Sequence, residues 1–253
     1  VVVAAREAAA DLVGGRAEEV AFGQNMTSLT FAVSRALART WAPGDEVVVT
    51  RLDHDANVTP WRLAAADRGA VVRVVEFDPA DGTLDLAHLE EVLGERTRLL
   101  AVTAASNALG TTPPVRRAAD LAHAAGALVY VDAVHYAPHR PVDVTALGAD
   151  FLACSAYKFF GPHTGVLWGK AGLLEPLGAY KVVPAPDSGP GKWETGTQSF
   201  ESLAGVAAAV DYLASLGAGG ARRDRLASAW RAIREHEGAL AARFLAGVTA
   251  LSH

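Results

Sequence analysis

Seven short β-branched runs alternate with longer Ala- and Leu-rich stretches, and no other feature of the chain restricts its fold as much. The runs cover residues 20–22, 46–50, 71–77, 99–103, 128–132, 151–154 and 165–168. Amphipathic stretches at 27–40, 56–68, 86–93 and 115–125 separate the earlier runs. Strands joined by a helix-length crossover pair in parallel, because a short turn can only reverse the chain. Several runs are apolar at every position, as strands are when helices cover both of their faces. The spacing therefore predicts an α/β fold of three layers, α/β/α, around a mostly parallel seven-stranded sheet. Pro43-Gly44, Gly69 and Gly126 stand where helices should stop.

At 253 residues the chain has room for one large domain and part of another. Its character changes at 181–200, where 182–191 forms a Pro/Gly-rich loop; a loop of that length is usually functional or mobile. Helices are expected after it at 198–216 and 221–246. The expected division is a large domain over 1–200, with 201–253 a helical link and the start of a small C-terminal domain. The chain opens on part of a helix at 4–12 with no initiator Met and stops just after a helical stretch. It reads as part of a longer protein.

Composition excludes several classes. Hydrophobic residues make up 51% and charged residues 20%, which fits neither a disordered chain nor a coiled coil. The apolar runs fall well short of membrane-spanning length. The 23 basic and 28 acidic residues give a net charge of −5 with no basic block, which argues against nucleic acid as a partner. The single cysteine, Cys154, rules out an internal disulfide framework and fits the reducing cytoplasm. No G-x-G-x-x-G follows the first run: Gly23 stands alone in Gly23-Gln24-Asn25-Met26-Thr27, which speaks against a nicotinamide site.

The residues able to carry chemistry fall at the ends of runs. Asp132 closes an apolar run, and in open α/β sheets ligands sit outside the carboxyl ends of strands. A carboxylate there can hold a pyridinium nitrogen or can simply cap a turn. Lys158, in Ser155-Ala156-Tyr157-Lys158, follows the next run; it reads as a surface lysine or as a Schiff-base lysine against an apolar wall. Together the two meet the needs of pyridoxal 5'-phosphate (PLP), a lysine for the aldehyde and an acid for the ring nitrogen. Gly23–Ser28 opens a helix and offers an anion site or an ordinary cap. His54, between Asp53 and Asp55, could stack on a flat ring, cap a turn or bind a metal. No second His or Cys lies at ligand spacing, so a metal is not expected. Asn107 could bond a phenolic oxygen or shape a turn. His135 could do likewise or donate to a substrate, and His139 reads as structural or solvent-facing. Cys154, at the end of a buried run, reads as a small core residue.

The ordered set Asp53-His54-Asp55-Ala56-Asn57-Val58-Thr59-Pro60-Trp61, Ser106-Asn107-Ala108-Leu109-Gly110-Thr111, Val131-Asp132-Ala133-Val134-His135, Ser155-Ala156-Tyr157-Lys158 and Glu194-Thr195-Gly196-Thr197-Gln198 is more specific than its parts. It resembles fold-type I PLP enzymes of the class V aminotransferase group, above all the cysteine desulfurase-like branch. The resemblance runs from about residue 20 to 205. It implies that Lys158 forms the internal aldimine and shuttles protons at the substrate Cα, and that Asp132 pairs with the ring nitrogen. His54 would stack on the ring, and Asn107 and His135 would face its phenolate. Met26, Thr27 and Ser155 would hold the phosphate, with Tyr157 where desulfurases often have a His. Thr197 would reach the phosphate of a neighbouring subunit, making a homodimer with shared active sites. The implied activity is that of a PLP-dependent desulfurase or C–S lyase on an amino acid, with a sulfur-acceptor protein as a possible partner. An aminotransferase or a non-catalytic protein of the same fold are the alternatives. The attacking cysteine and the carboxylate-binding arginine of desulfurases have no counterpart in this sequence.

Overall fold

The computed structural model describes residues 1–251. Its seven strands are β1 (Val20–Gly23), β2 (Glu46–Thr50), β3 (Val71–Val75), β4 (Thr97–Thr103), β5 (Leu128–Asp132), β6 (Phe151–Ser155) and β7 (Gly165–Gly169). They form one sheet in the order β1-β7-β6-β5-β4-β2-β3. Pairing is parallel except along β7, which runs antiparallel to both neighbours. The expected mostly parallel sheet is present, and six of its strands, all but β7, end on the same side.

Alternation along the strands divides the core. Val48, Leu100, Val102, Val129, Val131, Leu152 and Cys154 face one layer, formed with α1 (Val2–Val13), α4 (Leu86–Val92), α5 (Val115–Ala124) and the helices α8 (Phe200–Ser215) and α9 (Arg222–Thr249). Val47, Val49, Leu99, Ala101, Tyr130, Phe151 and Ala153 face the other, formed with α2 (Met26–Ala38), α3 (Thr59–Arg68) and the short α7 (Ala171–Leu174). A further short helix, α6 (Val144–Leu147), packs near α5. The three layers are those the sequence pattern implies.

Two boundaries differ from expectation. The stretch at 56–68 is not one helix: a 3-10 turn at Asp55–Asn57 precedes α3, because Pro60 lacks an N–H and fits only the first turn of a helix. The run at 71–77 ends at Val75, and β3 is not covered on both faces. It is an edge strand, Val71 is exposed, and Arg73 pairs with Glu46 on β2 at 2.7 Å. The Pro/Gly segment contains a 3-10 turn at Pro190–Trp193. Leu203, Val206, Val210, Leu226 and Trp230 share the core of α1, whereas every described residue of α9 from Arg234 onward is exposed.

The start of α2 lies hard against the sheet. A Cβ placed on Gly165 would stand 2.4 Å from the Asn25 carbonyl carbon and 2.6 Å from its oxygen. Backbone is the obstacle, so a side-chain rotation cannot relieve it. We expect Gly165→Ala to push α2 off β7 and cost about 1–3 kcal/mol, as overpacking does. Chemical denaturation checks this; an unchanged midpoint would contradict the close approach.

Candidate active site

Five parallel strands deliver their following residues to one place. β1 leads to Met26 and Thr27, β2 to His54, β4 ends on Thr103 and leads to Asn107, and β5 ends on Asp132 with His135 beyond it. β6 ends on Ser155 and continues into a one-turn 3-10 helix, Ala156–Phe159, that carries Tyr157 and Lys158. All of these residues line one cavity of about 200 Å³. Residues drawn from 26 to 158 in the sequence thus meet at the carboxyl ends of the sheet, where open α/β folds bind ligands.

One corner is formed by the start of α2. Asn25 caps α2, its Oδ1 accepting from the Ser28 N–H at 2.8 Å. The Met26 N–H donates to Ser155 Oγ at 2.9 Å. Thr27, next in line, has an N–H with no partner among the described residues. It sits at the positive end of the helix dipole, with the Ser155 hydroxyl beside it.

Another part of the cavity holds the buried carboxyl of Asp132, with half-buried Asp53 nearby. Asp132 Oδ1 accepts from the Val134 N–H at 2.8 Å, and its other oxygen accepts no hydrogen bond among the described residues. Burial pushes this carboxyl up to about 6, against the pull of the Val134 N–H and the His54 ring. Asp53 lies behind it, accepting from the Thr50 hydroxyl and, at 2.7 Å, from the Asn57 amide. Burial first, and the Asp132 charge after it, raise Asp53 above the ordinary carboxylate range. Asp53 escaped notice as an acid coupled to the site because only the fold sets it beside Asp132.

His54 is both a cap and part of the cavity wall. Its Nδ1 accepts from the Ala56 N–H at 3.0 Å, which puts the proton of the neutral ring on Nε2. His135 is half-buried, and burial, then His139 and Lys158, hold its ring below the usual histidine range. His139 is less idle than expected. Its ring meets His135 edge-on at 5.4 Å, and its Nδ1 lies 2.8 Å from Glu237 Oε1 on α9. Lys158 does not face the enclosing apolar wall assumed from the sequence. It stands exposed at the cavity mouth, its Nζ 5.7 Å from the Tyr157 ring centroid. Cys154 points into the opposite core layer, and burial pushes its thiol up to about 12. Thr197 does not join the cavity; it lines a neighbouring recess of about 500 Å³ with Gln24, Ser28 and His163.

A family model described as "Aminotransferase class-V" matches residues 1–235. The chain belongs to the class V aminotransferase family. Among curated relatives it is 38% identical over 230 residues to a cysteine desulfurase from Pectobacterium atrosepticum, covering 85% of this chain and 56% of that protein. It is 40% identical over 217 residues to a cysteine desulfurase from Haloferax volcanii, covering 81% and 50%. The chain thus spans about half the length of the curated relatives it matches. Among solved structures, a cysteine desulfurase from Thermococcus onnurineus superposes with a TM-score of 0.87 at 28% identity, covering 98% of this chain and 62% of the other. One from Escherichia coli gives 0.79 at 34% identity, covering 84% and 57%. Members of this family are PLP-dependent.

The buried Asp132 carries a sign that can be checked. Its carboxyl binds a proton more tightly in the folded chain than in the unfolded one. The stability it contributes is present below about pH 4 and is lost as pH rises through about 6. The unliganded chain should lose about 2–3 kcal/mol more than Asp132→Asn between pH 4 and 7. Denaturant midpoints across that range test this; parallel profiles for the two proteins would contradict it.

Proposed function

We propose that this chain carries the PLP site of a cysteine desulfurase-like enzyme acting on an amino acid, within a homodimer. The observation that supports it most is Asp132 and Lys158 at the ends of the adjacent strands β5 and β6, on one cavity, in a class V aminotransferase chain.

The residues present fit the cofactor by their donor chemistry. An unpartnered N–H at the start of α2 suits a phosphate, and the unengaged oxygen of Asp132 suits a ring N–H. Bound there, PLP supplies an aldehyde for covalent capture of amines and a ring that draws electrons from the substrate Cα. Met26, Thr27, Ser155 and Tyr157 hold the phosphate end, joined by Thr197 of the partner subunit. Asp132 keeps a proton on the ring nitrogen. His54, its orientation set by the Ala56 N–H, covers one ring face. Asn107 and His135 donate toward the phenolic oxygen, His135 as a neutral ring. Lys158 would hold the aldehyde end, and its amine would be the group that takes and returns the proton at the substrate Cα. Its place at the cavity mouth leaves it room to swing between the two tasks.

Removal of sulfur needs a thiol nucleophile, and Cys154 cannot be one. Its sulfur is buried in the core layer away from the cavity, and its high pKa keeps it protonated. The thiol that receives sulfur therefore comes from outside these 253 residues, with a sulfur-acceptor protein downstream of it. The same burial favours a second reading, elimination or transamination at this site, neither of which needs a thiol. The division into a cofactor-binding unit at 1–200 and a helical link from 201 onward belongs to this reading, with α8 docked on α1 as the link. No helix among the described residues is long and apolar enough to cross a membrane. We place the enzyme in the cytoplasm, where Cys154 stays reduced.

Borohydride reduction of the chain loaded with PLP, followed by peptide mapping, tests the site. The label should fall on Lys158 and vanish in Lys158→Ala; label spread over surface lysines alone would overturn the assignment. Light scattering of the loaded chain should give a dimer, and a fully loaded monomer would remove Thr197 from the site.

A further inference from the structure

The groups around the start of α2 are all neutral: the Thr27 N–H and the hydroxyls of Thr27, Ser155 and Tyr157. A phosphate ester near neutral pH carries roughly 1.5 to 2 negative charges. Neutral donors satisfy its oxygens and leave that charge without a counterion. Lys158 is committed to the aldehyde in the function proposed above. Arg35, a cation that lines the adjoining recess, is engaged elsewhere. Its Nε donates to the Phe31 carbonyl at 2.9 Å, and its guanidinium lies over the Phe31 and Tyr180 rings at 5.9 and 5.8 Å.

One further candidate stands at this corner. The His163 ring stacks on Tyr157, with centroids 4.9 Å apart and planes 25° from parallel. Tyr157 lines the cavity, while His163 lines the adjoining recess together with Gln24 and Ser28. The first turn of α2 lines both as well, with Met26 and Thr27 in the cavity and Ser28 in the recess. The backbone that carries His163 is held by the Thr164 N–H donating to the Pro162 carbonyl at 2.8 Å. The ring itself makes no hydrogen bond or ion pair among the described residues, so its nitrogens are uncommitted. A nearby anion favours the charged form of a histidine.

We propose that His163, held in place by its stack on Tyr157, supplies the positive charge for the phosphate group bound at the start of α2. Tyr157 then contributes a hydroxyl and a platform, and the charge a tyrosine cannot carry comes from the ring behind it. This rests on the PLP reading for the identity of the ligand, but the anion contact can be tested apart from it.

The decisive comparison is the affinity of the full chain for PLP against pyridoxal, which has the aldehyde and the ring but no phosphate. Quenching of tryptophan fluorescence reports both, with Lys158→Ala as the background for surface lysines. His163→Ala and His163→Gln should weaken PLP by about tenfold, as loss of a charged hydrogen-bond partner does, and pyridoxal by less than about twofold. His163→Lys should restore most of the loss, which a purely structural stack would not do. An unchanged ratio of PLP to pyridoxal affinity in both the Ala and Gln variants, folded by circular dichroism, overturns the proposal. The His163 ring resonances, assigned by their loss in His163→Gln, should also shift when inorganic phosphate is added to the unliganded chain. Resonances that stay in place overturn the proposal whether or not PLP is captured. Failure to label Lys158 would instead sink the PLP reading and leave this second measurement standing.

Discussion

The N-terminus of α2 is pinned to the sheet by one hydrogen bond, from the Met26 N–H to Ser155 Oγ, and by one missing side chain, at Gly165. The rest of the site depends on that contact. It sets the positive end of a 13-residue helix at the tip of β6, one turn from Lys158. It also spaces the start of α2 from Asp132, since β6 and β5 are neighbours in register, Asp132 beside Ala153. A rigid ligand with a phosphate at one end and a ring nitrogen at the other needs that spacing held by the sheet rather than by loops.

The acid corner shows how the fold prepares a charge it does not yet balance. Asp132 and Asp53 are two carboxyls in a region that disfavours even one ionised group. The fold tolerates them through a network of donors: the Val134 N–H, the Thr50 hydroxyl and the Asn57 amide, with Asn57 itself accepting from Trp61 Nε1 at 3.0 Å. A cation beside Asp132 would favour its charged form.

Much of this architecture was legible in the sequence, for a physical reason. Side chains on a central strand meet helices on both faces, so runs such as those of β4 and β5 are apolar throughout and stand out from the helices between them. The same reasoning failed at β3, where two valine pairs look like a buried run but occupy an edge. The residues that line the cavity were legible because they follow the carboxyl ends of the strands. What stayed hidden were contacts without a sequence pattern: Asp53 beside Asp132, His163 on Tyr157, and His139 bridging His135 to Glu237 on α9. None has a periodicity: the first joins the ends of two strands, the second depends on how the single β6–β7 connection folds back, and the third needs α9 to pack nearby. The exposure of Lys158 was also beyond reach, since an apolar strand before a residue says nothing of the space in front of it.

β3 has a consequence for the behaviour of the chain in solution. Its outer edge leaves a row of backbone donors and acceptors unpaired within a stretch reading Val71-Val72-Arg73-Val74-Val75. Such a segment without its central charge would combine β-branching, low polarity and an open edge, the features that recruit further strands from other molecules. Arg73 interrupts it, and the ion pair with Glu46 anchors that charge in the strand instead of leaving it to swing away. The arginine adds little to the stability of the fold, since exposed ion pairs contribute little. Its value lies in keeping one copy of the sheet from being extended by the next.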